Sequence, residues 1–395
     1  MRAIIAAAGT GGHINPAIAI ANKIREEEKD SEIIFIGTKR GLETDLVPRA
    51  GYELKTIDSY GLTRHINLEN LKRLNKTIHS IKQAQKIIRE FKPDIVIGTG
   101  GYICVSVMRA AQKEKVKYIM HESNVLPGVA TKLFAKKASK VLLGFEEAKE
   151  RLPKEAKTVV TGTPTKVKKI DYTKEQIIEK KKELGLDIDK KLILIFGGSQ
   201  GAKSINEAVK NLIINNEEQK HANTITTMNE KKQMNEISFN KDKNYEIMWA
   251  VGKKQYDSIK EELKCNQIDI DNIKDVKAYP YIYNMEDVMN ISDLIVSRSG
   301  AMTITEIEKI GKGAIFIPYP YAAENHQEYN ARALEKKGAA EVILDKDLNA
   351  DVLEKSIENL CNDEKKLKEM GEISNSLSIK NVEDKIYAEI KHALK

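Results

Sequence analysis

Imidazole, carboxylate and amide side chains recur in this chain beside glycine turns. His13 closes Gly9-Thr10-Gly11-Gly12, Tyr102 follows Gly100 and Gly101, and Glu122 and Asn124 stand in His121-Glu122-Ser123-Asn124. Further on come Gly197-Gly198-Ser199-Gln200-Gly201-Ala202, then Ser297 to Thr303 with Glu306 beyond it, then His326 and Gln327. Glycine lets backbone approach a ligand closely, and the first N–H groups of a helix, unpaired within it, favour an anionic or strongly polar group. A neutral imidazole accepts a proton near pH 7, and Glu122 offers a second base. The combination suits proton transfer beside a bound polar or anionic ligand. For His121 and Glu122 another reading stands beside that one: a hydrogen-bonded pair that pins a loop.

Strand–turn–helix junctions must position these groups. Residues 2–8 form an apolar run without a 3.6-residue period, the mark of a buried parallel strand; the glycines break it, and Asn15 and Pro16 mark a helix from Ala17. Residues 191–196, the turn at 197–202 and the helical pattern from Lys203 repeat the device. Further strands are predicted at 32–37, 94–98, 117–120, 158–162, 223–228, 245–251, 277–281, 294–296, 314–318 and 340–344. Polar residues directly after parallel strands collect on one rim, so His13, Tyr102, Glu122 and Asn124 can converge although far apart in sequence. Two such openings, one near the start of each half, predict an α/β protein of two Rossmann-like domains with parallel sheets separated by a cleft. Pro164 cannot continue a ladder, which sets the domains at 1–163 and 164–395, with the last helix free to pack back on the first.

Bulk properties exclude several classes. At 395 residues the chain exceeds one core, and 41% hydrophobic with 31% charged residues is ordinary globular composition. No run approaches the ~20 apolar residues of a membrane span and no signal pattern opens the chain, so a cytoplasmic placement is expected. Cys104, Cys265 and Cys361 lie far apart and offer no zinc spacing. The first turn puts Ile14 where G-x-G-x-x-G needs its last glycine, and no acidic residue follows residues 32–37 to hold a ribose, both against a dinucleotide oxidoreductase. Residues 1–163 carry 28 Lys and Arg against 18 Asp and Glu, the remainder 37 against 40, so the first half suits an anionic partner. Leu71, Leu74, Ile78, Ile81 and Ile88 have helical spacing and read as a core stripe with a basic back; Leu68, Leu71 and nearby lysines are the candidates for a membrane-surface patch. No aromatic-plus-basic motif supports nucleic acid. Three D-x-D patterns, at Asp187, Asp269 and Asp345, read as solvated turns rather than metal ligands.

GTGGHINPA, GTGGY, HESN, GGSQGA, SRSGAMTITE and NHQEYNA, in this order and at strand-to-helix junctions, resemble the MurG family of glycosyltransferases over nearly the whole chain. The resemblance implies the GT-B fold and a peripheral enzyme on the cytoplasmic side of the cell membrane. Its activity would move N-acetylglucosamine (GlcNAc) from UDP-GlcNAc, with inversion, to the 4-hydroxyl of N-acetylmuramic acid in lipid I, undecaprenyl-pyrophosphoryl-N-acetylmuramoyl-pentapeptide. The product is lipid II for peptidoglycan, and through it cell-wall biogenesis, shape and division. Implied partners are UDP-GlcNAc, lipid I, an anionic membrane surface and other cell-wall synthesis proteins; no cofactor or metal is implied.

On the family's motifs, Glu306 would accept bonds from the ribose hydroxyls and Ile282 would hold uracil through its backbone. Ser199, Ala301, Met302 and Thr303 would surround the diphosphate, with Lys166 as a cation for the leaving group and Gln200 a further UDP-GlcNAc contact. His326 and Gln327 would read sugar hydroxyls, and Asn124 with Thr10, Gly11 and Gly12 would reach the sugar as well. Gly100, Gly101 and Tyr102 would face the acceptor, with His13 and Glu122 as the catalytic pair and His13 either the base or an orienter. Lys166 stands at an arginine position and lacks the planar fork; Thr163 stands at an asparagine position, and Ala8 where a further glycine is common. Two other readings remain: a UDP-GlcNAc 2-epimerase or lipid glucosyltransferase of the same fold, and a silent nucleotide-sugar-binding protein.

Overall fold

Runs of alanine and β-branched residues become parallel strands in two units, Met1–Lys166 with Ile379–Lys395, and Val167–Ser378. The computed structural model describes the backbone of residues 1–59, 68–198, 201–225, 243–273 and 275–395, and the side chains there except at 68–76 and 217–225. Ser199 and Gln200, and the side chains of Leu68, Leu71 and Leu74, therefore lie outside the described residues.

In the first unit β1 (Arg2–Ala6), β2 (Glu32–Gly37), β3 (Glu53–Thr56), β4 (Ile95–Gly98), β5 (Lys117–Glu122), β6 (Lys140–Leu143) and β7 (Thr158–Val160) form a parallel sheet in the order β3-β2-β1-β4-β5-β6-β7. Helices α1 (Gly11–Glu27), α2 (Glu43–Arg49), α3 (Leu68–Phe91), α4 (Ile103–Lys113) and α5 (Val129–Phe134) connect them. The chain runs from β1 outward to β3 and then returns to β4 on the other flank of β1. At that reversal the carboxyl ends of β1 and β4 diverge, the place where parallel sheets hold ligands. The sequence misses β3, whose Glu53-Leu54-Lys55-Thr56 holds a single apolar residue, and β6, whose apolar run is only Val141 to Leu143.

Two corrections concern helices. The first begins at Gly11 rather than Ala17, and Pro16 lies inside it; Gly11, Gly12 and His13 thus form a helical first turn instead of a loop. On α3 Ile88 is buried and Ile81 packs against the core as predicted, whereas Ile78 is 48% exposed and Ser80 and Ala84 turn inward instead.

The last helix, α14 (Val382–Leu394), follows the second unit in sequence but belongs to the first. Val382, Ile386 and Ile390 recur every four residues and are buried with Ala3, Ile5 and Ile14. Lys391 Nζ and Tyr387 OH donate to Glu28 at 2.7 and 3.0 Å, and the Met1 ammonium lies 2.9 Å from the same carboxylate. The Lys391 bond above all holds the Glu28 carboxyl down at about 2.

The second unit opens with α6 (Lys174–Glu183) and builds a sheet of β8 (Lys191–Phe196), β9 (Tyr245–Ala250), β10 (Val276–Tyr279), β11 (Leu294–Ser297), β12 (Gly313–Phe316) and β13 (Ala340–Val342). Their order is β10-β9-β8-β11-β12-β13, all parallel, so the reversal falls between β8 and β11. The helices are α7 (Lys203–Ile225), α8 (Tyr256–Cys265), α9 (Met285–Ile291), α10 (Ala301–Ile310), α11 (His326–Lys336), α12 (Ala350–Asn362) and α13 (Glu364–Leu377). The strand predicted at 223–228 is not borne out: residues up to Ile225 continue α7, and the rest lies outside the described residues. Trp249, fully buried, donates to Asn206 Oδ1 at 3.0 Å, and Asn206 Nδ2 donates to Val251 O at 2.8 Å, tying α7 to the carboxyl end of β9.

Glu246, on β9, is 1% exposed. Burial pushes its carboxyl up to about 7, with Asp187 and Asp275 facing it and the Asp187 backbone and Lys181 partly opposing the shift. Because the folded value exceeds the unfolded one, this group's contribution is full below about pH 4.5 and is lost as pH rises towards 7, at most about 3 kcal/mol. Glu246→Gln, which carries no charge, is expected to melt above wild type at pH 8 by calorimetry and level with it near pH 4.5. A constant gap across that range would refute the assignment.

Candidate functional site

The first unit gathers His13, Gly100, Gly101 and Tyr102 at the β1/β4 reversal. His13 N and Ile14 N both donate to Thr10 O, at 3.1 and 3.2 Å, starting α1 on Thr10. The N–H groups of Gly11 and Gly12 precede the first intrahelical bond and face the rim as donors. Gly100 has φ +118°, and a Cβ there would stand 2.7 Å from His13 Cε1; Gly101 has φ +81°, and a Cβ there would stand 2.6 Å from Ala8 O. The imidazole thus rests on bare backbone, and only glycine permits it. Thr99 Oγ1 donates to His13 O at 2.8 Å, locking the two turns together, and Cys104 Sγ donates to Gly100 O at 3.1 Å within the second of them. Burial pushes the Cys104 thiol up to about 12, which makes it packing rather than a nucleophile.

Glu122 ends β5 almost fully buried, and both of its oxygens are engaged. Oε1 accepts from Asn124 N and Asn124 Nδ2, each at 3.1 Å; Oε2 accepts from Gly128 N at 2.8 Å and Thr131 Oγ1 at 2.7 Å. A carboxylate with four donors on it shapes the 123–131 loop and sets Asn124. These contacts favour, of the two readings of Glu122, the residue that pins its loop over the second base. His121 lies within hydrogen-bonding reach of Gly162 O at 3.1 Å and Ser123 Oγ at 3.4 Å; burial lowers its pKa, so it pins the loop as a neutral ring. The two residues act separately rather than as a mutual pair.

In the second unit the rim is built on α10. Gly300 caps it with extended backbone, placing Ala301, Met302 and Thr303 in the first turn and Glu306 one turn later, on the face of Met302 and Thr303. Ser299 Oγ donates to Gln327 O at 2.8 Å and Asn330 Nδ2 to Ser299 O at 3.3 Å, so the turn after β11 is stitched to the start of α11. Gln327 Oε1 accepts from Tyr319 N at 2.9 Å, so a ligand hydroxyl would meet its amide as a donor. His326 Nδ1 lies 2.8 Å from Ala323 O. Ile282 is buried after β10, between the exposed Tyr281 and Tyr283. Lys166 is exposed and ends the first unit, although the sequence grouped it with the second domain.

Two features of the rims went unread in the sequence. Arg298 donates through Nη1 to Ile317 O at 3.0 Å, Pro318 O at 3.1 Å and Asp345 Oδ1 at 2.5 Å, and through Nη2 to Ser204 Oγ at 2.9 Å. Asp345 is therefore no solvated turn: it follows β13, on the carboxyl rim, and its position after a parallel strand was the available signal. Asp187 and Asp269 do cap their own turns, accepting from Asp189 N and Asp271 N. The other feature is Glu43, whose carboxylate accepts from Gly9 N at 3.0 Å and which only its place after β2 could have flagged.

Two Rossmann-like units with switch-point crevices define the class as GT-B, and comparison agrees. The structure of Acinetobacter baumannii MurG superposes with a TM-score of 0.73 at 23% identity over 99% of both chains. A UDP-GlcNAc 2-epimerase from Neisseria meningitidis, bound to UDP-GlcNAc, gives 0.61 at 14% identity over 99% of this chain and 100% of that one, a likeness of fold. Residues 3–143 match the glycosyltransferase family 28 N-terminal domain and residues 192–386 the family 28 C-terminal domain. The chain is 42% identical over 391 residues, 99% of each chain, to the UDP-N-acetylglucosamine–N-acetylmuramyl-(pentapeptide) pyrophosphoryl-undecaprenol N-acetylglucosamine transferase of Thermoanaerobacter sp. (strain X514). It is 38% identical over 395 residues to the Acetivibrio thermocellus protein of the same name, covering 100% of this chain and 99% of that one. The chain belongs to glycosyltransferase family 28 and, within it, to the MurG family.

Proposed function

We propose that this enzyme transfers GlcNAc from UDP-GlcNAc to the 4-hydroxyl of the N-acetylmuramoyl unit of lipid I, yielding lipid II with inversion at the anomeric carbon. The full-length identity to transferases named for that reaction carries the proposal. The second unit takes the nucleotide: Ile282 holds uracil, Glu306 the ribose, and the start of α10 at Ala301, Met302 and Thr303 the diphosphate. The ends of β10 and β11 are three strand spacings apart, about 14 Å, the reach of an extended nucleoside diphosphate. Ser199 and Gln200, which follow β8 in sequence, are assigned to the nucleotide sugar as well, while His326 and Gln327 meet the sugar. In the first unit Gly100, Gly101 and Tyr102 receive the acceptor, and Thr10, Gly11, Gly12 and Asn124 present donors to the transferred sugar.

His13 takes the proton of the acceptor hydroxyl as its oxygen bonds to the anomeric carbon and UDP departs. The N–H groups at the start of α10, with Lys166, stabilise the charge that grows on the diphosphate, so the reading includes no metal or cofactor. The deciding assay incubates the enzyme with labelled UDP-GlcNAc, with and without a lipid I analogue and with EDTA in parallel. Labelled disaccharide lipid that forms only with acceptor, and equally in EDTA, is expected. Conversion of the nucleotide sugar without acceptor would make the protein an epimerase, and no turnover would leave a binding protein.

The cytoplasmic face of an anionic membrane, where lipid I and other cell-wall synthesis proteins would be met, completes the proposal. Among the described residues no helix is long and apolar enough to cross a membrane. On α5 Val129 and Leu133 are 54% and 62% exposed one turn apart, beside the exposed Lys137. Val129→Ser with Leu133→Ser is expected to lower co-sedimentation with anionic liposomes several-fold while leaving binding of UDP-GlcNAc intact. Unchanged co-sedimentation would remove α5 from the contact.

A further inference from the structure

One carboxylate of the first unit sits fully buried against the glycine turn without a part in the chemistry above. Glu43 opens α2 at 0% exposure. Its Oε1 accepts from Thr38 N at 3.0 Å and Thr38 Oγ1 at 2.7 Å, and its Oε2 accepts from Gly9 N at 3.0 Å. Thr38 follows β2 and Gly9 follows β1, so one side chain bridges the carboxyl ends of two neighbouring strands. The cradle is shaped to it, for a Cβ on Gly41 would stand 2.6 Å from Glu43 Cδ. Burial opposes the charged form, yet the Thr38 and Gly9 bonds outweigh it and hold the carboxyl below the usual range. From the other flank of β1, Thr99 holds His13 O. The turn that carries His13 is therefore fixed from both sides, by β4 on one and by Glu43 on the other.

We propose that Glu43 is a positioning residue for the transfer, and this rests on the function proposed above. Its carboxylate fixes the Gly9 N–H and with it the direction in which Thr10, Gly11, Gly12 and His13 leave β1. The role needs a carboxylate rather than its amide. In Glu43→Gln one terminal atom becomes a donor, and it must face either Gly9 N–H or Thr38 N–H, a donor against a donor. The Thr38 hydroxyl can rotate to suit an amide, whereas neither backbone group can.

The test compares Glu43→Gln with Thr38→Val, which removes one bond to Oε1 but leaves the Gly9 contact whole. Turnover with a lipid I analogue, the affinity for UDP-GlcNAc by calorimetry, the melting temperature and the amide proton signal of Gly9 are read for each. Glu43→Gln is expected to lower kcat about tenfold at unchanged UDP-GlcNAc affinity and to move the Gly9 signal upfield. Thr38→Val is expected to keep kcat and the Gly9 signal even where its melting temperature falls. Equal kcat in Glu43→Gln and wild type would overturn the proposal, as would loss of kcat in both variants in step with stability. Should Glu43→Gln not fold, Glu43→Asp, which keeps the charge one methylene short of Gly9, is read in the same way. If wild type forms no disaccharide lipid, the transfer assignment itself falls, while the Gly9 signal still reports whether Glu43 holds the turn.

Discussion

His13→Ala is expected to lower turnover about 10²- to 10⁴-fold, the usual worth of a positioned general base, with UDP-GlcNAc affinity changed by no more than about twofold. The asymmetry follows from placement. His13 lies in the first turn of α1, on the backbone of Gly100, whereas Ile282 and Glu306, proposed for uracil and ribose, and the α10 turn proposed for the diphosphate are in the second unit. Glu122 cannot stand in for it, since four donors already occupy its two oxygens. His13→Gln separates base from orienter. A ring that only positions the acceptor through a hydrogen bond is replaced in part by an amide, and turnover returns towards wild type; a base is not, and both variants stay slow. Stopped assays with a lipid I analogue, beside calorimetry with UDP-GlcNAc, supply both numbers. An alanine variant that turns over like wild type would take His13 out of the chemistry.

The sheets were legible because parallel strands are buried on both faces and read as unbroken apolar runs. All but one of the strands predicted from such runs recur within two residues at either end, and the exception, 223–228, lay in a polar stretch. The rim was legible for the same reason, since whatever polar residue follows such a run must lie at the carboxyl edge. What failed had no periodic signal. The six-residue error at α1 came from taking Pro16 as a first-turn residue, when Gly11 to Asn15 were already helical ahead of it. Asp345 was grouped by its D-x-D spacing, a one-dimensional cue, although its partner Arg298 lies 47 residues away. Glu43 and Glu122 look alike in sequence, as single carboxylates near strand ends. Only the donors around them show that each is held by backbone N–H groups.

The second large effect is expected at Arg298. Its guanidinium, 12% exposed, joins the carboxyl ends of β11 and β12, the start of α7 and the segment after β13, and lies 5.4 Å from the Tyr319 ring. Ser204 Oγ closes the circuit on Asp345 Oδ1 at 2.6 Å. Arg298→Ala would leave two carbonyls without donors and a half-buried carboxylate without its cation, which costs roughly 3 kcal/mol. The turn before α10 and the Tyr319 backbone that orients Gln327 would then lose their shared anchor, and UDP-GlcNAc affinity is expected to fall roughly 30- to 100-fold. Lysine keeps the charge but cannot serve carbonyls, carboxylate and hydroxyl in one plane, so Arg298→Lys should recover little. Loss of fold is told apart from loss of the rim by the pair Arg298→Met with Asp345→Leu, which removes both charges and should restore the melting temperature without restoring affinity. If calorimetry finds that pair binding UDP-GlcNAc like wild type, the ion pair holds the unit together and does not shape its rim.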